Sequence, residues 1–155
     1  MQLRKILCPI DFSEGSKEAL RNACDLALGS GAALRLVHVW EVPLWLTTSQ
    51  MPVSPDVVQE LIDLDQQNLD AALADAKRAG VKDVTAELLR GVAWDEVVRL
   101  AKNDSQIDLI VMGTHGRTGL RHVLIGSVAE KVVRQAPCRV LVTRVRGEQP
   151  DVVAP

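Results

Sequence analysis

Apolar residues along this chain fall into two alternating kinds of run. Five short, nearly unbroken runs rich in β-branched residues or leucine read as strands: Ile6 to Ile10, Ala33 to Trp40, Val84 to Leu89, Leu109 to Met112 and Val140 to Val142. Between them apolar residues return at helical spacing, at Leu20, Ala23, Cys24 and Ala27, then Leu61, Leu69, Ala72, Leu73 and Ala76, then Val97, Val98 and Ala101, and last Val128, Val132 and Val133. Ser54-Pro55-Asp56 opens the second of these helices, and Gly80 follows its last turn at Ala76-Lys77-Arg78. Glu41 to Val53, with Pro43 and Pro52, follows neither period and predicts a mobile loop over one sheet edge.

Strands apolar on both faces need cover on both faces, and helices between them supply it through right-handed crossovers. The alternation therefore predicts an α/β fold, a single Rossmann-like doubly wound domain over residues 1–146. Its five-stranded parallel sheet has the order 3-2-1-4-5 with about four helices, and residues 147–155 form a flexible tail. Such sheets take ligands at the carboxyl ends of strands where the strand order reverses, which points to the loops after Ile10 and Met112.

Composition narrows the partners. The chain has 155 residues, 47% of them hydrophobic, enough for one substantial core. A formal charge of −2, one Phe, three Trp and no Tyr supply neither the basic field nor the stacking platforms of a nucleic-acid binder. Cys8, Cys24 and Cys138 are odd in number and lack CxxC spacing, as reduced core thiols do. The amino terminus enters a strand at once, and no run approaches the ~20 apolar residues of a membrane span, so the expectation is a cytoplasmic protein without a membrane partner.

The chemistry concentrates after the fourth strand. Val111-Met112-Gly113-Thr114-His115-Gly116 leads, nine residues beyond Gly116, to Gly126-Ser127-Val128-Ala129-Glu130. Glycines at 113 and 116 admit backbone angles closed to other residues and leave room for a ligand, while the amides opening a helix at Ser127 carry partial positive charge outward. That combination suits phosphate held by backbone. Other readings stay open: Ser127-Val128-Ala129-Glu130 is also a capping box, and Asp11 is equally a cap for the helix opening near Ser13 or a ligand contact. Arg117, Arg121 and His122 either attract an anion or line a solvated loop, and His115 is a phosphate contact or a spacer. His38, between Val37 and Val39, reads as a satisfied structural histidine.

Together with Cys8-Pro9-Ile10-Asp11-Phe12-Ser13 and Val37-His38-Val39, the G-x2-G-x9-G-S pattern resembles the universal stress protein family in its ATP-binding form, over residues 3–144. The resemblance implies ATP, with or without Mg²⁺ or Mn²⁺, lying over the carboxyl edge of the sheet. Its base would sit against Val39, Pro9, Ile10 and Asp11, and its phosphates between Gly116 and Ser127. Met112, Gly113, His115, Arg117, Gly126 and Val128 complete the implied set, and Asp11 would meet the ribose hydroxyls or a divalent ion. Ala129 stands where such relatives often carry a further hydroxyl. An apolar last strand at the sheet edge, with Val140 and Val142, adds a homodimer.

The sequence lacks GxxxxGK[ST], G-x-G-x-x-G after the first strand, and the carboxylate cluster of a receiver domain. No catalytic residue and no protein-held metal is assigned. The reading is a nucleotide-dependent regulatory module of a stress response, acting on an unknown protein partner. A slow ATPase and a nucleotide-free dimeric scaffold are the alternatives.

Overall fold

The computed structural model describes residues 3–44, 46, 53–114 and 126–145. Along the chain run β1 (Lys5–Pro9), α1 (Glu14–Ser30), β2 (Ala33–Trp40), α2 (Pro55–Arg78), β3 (Val84–Arg90), α3 (Ala93–Asn103), β4 (Ile107–Gly113), α4 (Ser127–Gln135) and β5 (Arg139–Thr143). The five strands form one sheet in the order β3-β2-β1-β4-β5, every neighbour parallel, as the alternation predicts.

Successive residues of the central strands point to opposite faces, which divides the core in two. Ile6 and Cys8 of β1 join Leu34 and Leu36 of β2 beneath α1 and α2, which contribute Ala23, Cys24, Leu69 and Ala76. Leu7, Val37 and Val39 face the other way, toward Val97, Val98 and Ala101 of α3 and Ala129 and Val132 of α4. Two helices therefore cover each face among the described residues.

Helix boundaries follow local chemistry. Ser13 caps α1 by accepting the Ser16 amide at 3.2 Å, and Gly31, at φ 73°, ends it with its amide donated to the Ala27 carbonyl at 2.8 Å. Ser54 accepts the Asp56 amide at the start of α2, with Pro55 in the first turn. One expected core position differs. Val133 is 47% exposed, because a helix as short as α4 buries a single stripe, here Ala129 and Val132, and Val133 lies beside it.

Cys8 and Cys24 are buried, Cys138 is half-buried, and none is bridged. Burial pushes all three thiols above the ordinary cysteine range. Of the expected loop at 41–53, residues 41–44, 46 and 53 are described, and the Leu46 amide bonds the Pro43 carbonyl at 2.9 Å. The rest of that loop and the expected tail at 147–155 lie outside the described residues. Among the described residues no helix is long and apolar enough to cross a membrane.

Candidate functional site

From β1 the chain winds outward to β2 and β3, and from β4 it winds the opposite way to β5, so the order reverses between two adjacent strands. Their carboxyl ends, Pro9 and Gly113, open onto the same edge. Loops 10–13 and 114–126 leave from there, and a doubly wound sheet has its crevice at that place.

The β4 side is pinned by backbone. The Thr114 amide donates to the Thr143 carbonyl at 2.9 Å, and the Thr143 hydroxyl donates to the Met112 carbonyl at 3.3 Å. The Gly126 amide donates to the Thr114 carbonyl at 2.6 Å, which sets the start of α4 directly beside the end of β4. His115, Gly116 and Arg117, with Arg121 and His122, fall between these anchors and lie outside the described residues.

Ser127 does not form the capping box that its spacing with Glu130 suggests. The cap position is one residue earlier, at Gly126 (φ −66°, ψ 156°), which has no side chain to offer. The Gly126–Thr114 bond fixes where the helix begins, and Ser127 becomes its first residue. Glu130 uses its amide on the Gly126 carbonyl and its carboxylate on Arg134 at 2.9 Å. The amides of Ser127, Val128 and Ala129 are thus left without an acceptor among the described residues, with Ser127 exposed and Val128 half-buried. The Ala129 side chain points the other way, into the core.

Gly113 serves a purpose other than the one its place in the motif suggests. Positive φ among the described glycines occurs at 31, 80 and 91, so neither Gly113 nor Gly126 uses a left-handed backbone. A Cβ at 113 would instead lie 2.7 Å from the Gly15 carbonyl carbon and 2.8 Å from its oxygen. Glycine is required there because the first turn of α1 presses on the end of β4.

On the β1 side the loop is held by side chains. Asp11 Oδ1 accepts from the Ser13 amide at 3.1 Å and from the Ser13 hydroxyl at 2.5 Å, so Ser13 is the α1 cap and Asp11 fixes it in place. Phe12 between them has φ +66°, the one left-handed non-glycine residue described, and its ring lies 4.5 Å from that of His38. Ile10 donates its amide to the Val37 carbonyl at 2.8 Å and receives His38 Nδ1 on its own carbonyl at 2.7 Å. His38 is 3% exposed, and its Nε2 faces Asp65 Oδ2 of α2 at 3.0 Å, which makes it structural as read from its apolar flanks. Asp65 itself carries no signal in the sequence, standing among the other acidic residues of α2.

Pro9, Ile10, Asp11, Met112, Gly113, Gly126, Ser127 and Val128 therefore surround one edge, with Val39 buried near the end of β2. The hollows that indent the surface elsewhere lie along the opposite, amino-terminal edge. Three ion pairs lie along that edge, Lys5 with Asp104 at 2.7 Å, Arg35 with Glu87 at 2.5 Å and Arg4 with Asp108 at 2.8 Å. Hydrogen bonding from Lys5 holds Asp104 below the usual carboxylate range, and that from Arg4 lowers Asp108 to about 2.

The sequence of residues 2–144 matches the model of the Universal stress protein family. The chain belongs to that family. It is 37% identical over 144 residues to Universal stress protein MJ0531 of Methanocaldococcus jannaschii, covering 91% of this chain and 82% of that one. Among solved structures it is similar to protein MJ0577 of the same organism, at a TM-score of 0.80 and 26% identity over 96% of this chain and 100% of that one. A universal stress protein solved in complex with cAMP shares the fold, at a TM-score of 0.68 and 23% identity over 94% of this chain and 99% of the other.

Proposed function

We propose that this chain binds an adenine nucleotide, ATP, across the carboxyl edge between β1 and β4, and acts as a nucleotide-dependent regulatory module of a stress response. The observation that carries the reading is the start of α4. Three amides without a side-chain cap or an acceptor among the described residues, on a helix dipole, sit beside the end of β4 at the switch point of the sheet. Phosphate oxygens complete that helix start. The base then extends toward Val39 and Pro9 to Asp11, where the chain is already fixed, and His115, Gly116 and Arg117 are proposed as phosphate contacts. A family member in complex with cAMP supports an adenine nucleotide as the ligand class.

Regulation is favoured over turnover because the polar side chains around the crevice already have structural work. Ser13 caps α1, Asp11 holds Ser13, and His38 is enclosed between Ile10 and Asp65. Among the described residues no group of three His, Cys, Asp or Glu side chains gathers to hold a metal, so in this reading Mg²⁺ or Mn²⁺ travels on the phosphates. Homodimerisation through β5 belongs to the same proposal: β5 is an edge strand whose Val140 and Val142 are half-buried and whose Leu141 is 39% exposed.

Thermal shift with ATP, AMP, GTP and Mg²⁺, beside a Gly126→Asp variant, tests the nucleotide reading. Ligand at 100 times its dissociation constant stabilises by about 2.7 kcal/mol, a rise of several degrees in a domain of this size. Aspartate at 126 caps the open amides and repels phosphate, so the variant should melt no lower than wild type without ligand yet lose the ATP-induced rise. A wild-type chain that does not respond to millimolar ATP leaves the dimeric scaffold as the reading.

A further inference from the structure

His38 is a buried histidine that the phosphate side of the site does not use, and its two partners lie on different elements. One is the Ile10 carbonyl, at the place assigned to the base, and the other is the Asp65 carboxylate on α2. A carbonyl only accepts, so Nδ1 carries the proton of the 2.7 Å bond. Nε2 lies 3.0 Å from Asp65 Oδ2, so the ring is engaged at its second nitrogen too. The side chains are 4% and 13% exposed, so water competes weakly for either bond. An imidazole held at one nitrogen alone is free to tilt, whereas one held at both presents Nδ1 in a fixed direction.

What Nδ1 fixes is the last rung of β1 on β2. The ladder ends at Pro9↔Val37, and beyond it Ile10 is bound to β2 by its amide through backbone and by its carbonyl through the His38 side chain. The next residue but one, Phe12, has a left-handed backbone that costs a non-glycine residue energy, and its ring rests on the same imidazole. Remove the orientation of that ring and the loop has a reason to relax.

We propose that Asp65, acting through His38, is a positioning residue for the adenine side of the site. The carboxylate on α2 orients the imidazole, and the imidazole holds the Pro9 to Asp11 backbone where the base is recognised. This inference rests on the nucleotide reading above, and it adds α2 to the elements on which nucleotide affinity depends.

The test measures affinity of the full chain for two probes, ATP and inorganic tripolyphosphate, the second lacking the base. Asp65→Ala should weaken ATP about tenfold while leaving tripolyphosphate unchanged, the size of effect expected when one buried, charge-assisted bond stops holding a contact surface. Asp65→Asn should restore ATP binding, because its amide N–H donates to Nε2 of a ring still protonated at Nδ1. In the wild-type chain, the ¹⁵N signals of the His38 ring should move on titration with ATP and stay in place with tripolyphosphate. Wild-type ATP affinity in Asp65→Ala, or equal weakening of both probes, overturns the proposal. Ring signals unmoved at saturating ATP overturn it as well, even if the alanine variant fails to fold. A wild-type chain that binds neither probe instead removes the nucleotide reading itself.

Discussion

Gly113→Ala is the most discriminating single methyl group that can be added to this protein. Its Cβ would sit 2.7 Å from the Gly15 carbonyl carbon, 2.8 Å from its oxygen and 3.2 Å from its Cα. Carbon atoms in contact prefer roughly 3.5 to 4.0 Å, so α1 and β4 must separate by about 0.8 Å or more. All three neighbours are backbone, and no side chain can rotate aside. Gly15 lies in the first turn of α1, held by the Ser13 cap, and Gly113 is held to Thr143 through the β4–β5 ladder. Overpacking of this kind costs about 1–3 kcal/mol, which in a domain of this length lowers Tm by roughly 2–4 °C per kcal/mol.

Gly29→Ala is the matched control. It also changes glycine to alanine in or against α1, but nothing lies within 4 Å of the added Cβ. The backbone there is helical, so alanine should stabilise by roughly 0.5–1 kcal/mol. The change in unfolded-chain entropy is common to the two variants, and the difference between them isolates the α1–β4 contact. Far-UV circular dichroism on heating and in urea reads both. Gly113→Ala melting at or above wild type, or the two variants moving in the same direction, would refute the argument that glycine is needed here for close approach. Because the same contact sets loop 10–13 against the end of β4, the ATP-induced rise in Tm should shrink in Gly113→Ala and persist in Gly29→Ala.

Two further outcomes follow from the described geometry. Asp108, lowered to about 2 by hydrogen bonding and charge from Arg4, contributes stability that is fully present above the ordinary aspartate range near pH 4 and is lost as pH falls through about 2. Asp108→Asn should therefore flatten the loss of stability between those pH values, and urea midpoints across the acid range with and without added salt would show it. A slope identical to wild type contradicts the assignment. Leu141→Arg on the exposed face of β5 should leave Tm near wild type and convert a dimer to a monomer in analytical ultracentrifugation. A wild-type chain that sediments as a monomer removes the proposed pairing through β5.

The fold was legible because strands buried on both faces leave continuous apolar runs, and here the runs contain the two alternating halves of the core, Ile6 and Cys8 on one side and Leu7 on the other. Strand β4 starts at Ile107 rather than Leu109 because Asp108, an unlikely strand residue by composition, is held by Arg4 across 104 positions of sequence. The motif falls at the edge where the carboxyl ends of β1 and β4 meet, and two of its local readings differ from the structure. Ser127 opens α4 as read, but the cap is Gly126 rather than Ser127, because a bond to Thr114, formed only in the folded chain, sets the cap one residue earlier. Gly113 answers to Gly15, a neighbour that spacing cannot reveal. Asp65 was invisible for the same reason, since α2 carries acidic residues at 56, 60, 63, 65, 70 and 75, and only the approach of β2 distinguishes one of them.

Why the crevice should take an anion on one side rather than both follows from its two helix starts. Strand β1 feeds α1 on one face of the sheet and β4 feeds α4 on the other, so the first turns of the two helices flank the same opening from opposite faces. Each begins with amides that have no partner within the helix. At α1 the chain satisfies its own requirement: Ser13 accepts from Ser16, and Asp11, a carboxylate, stands at the positive end of the dipole. At α4 glycine occupies the cap, and the amides of residues 127–129 have no acceptor among the described residues. In the proposed complex a phosphate entering between the strands therefore meets a negative charge on the β1 side and a helix start with backbone donors on the β4 side. The uncharged end of the ligand is left to lie toward Pro9 and Ile10, where the loop is closed by hydrogen bonds and braced by His38. In the proposed complex the direction of the nucleotide follows from which helix caps itself, and reversing it would require exchanging Ser13 and Gly126 in role.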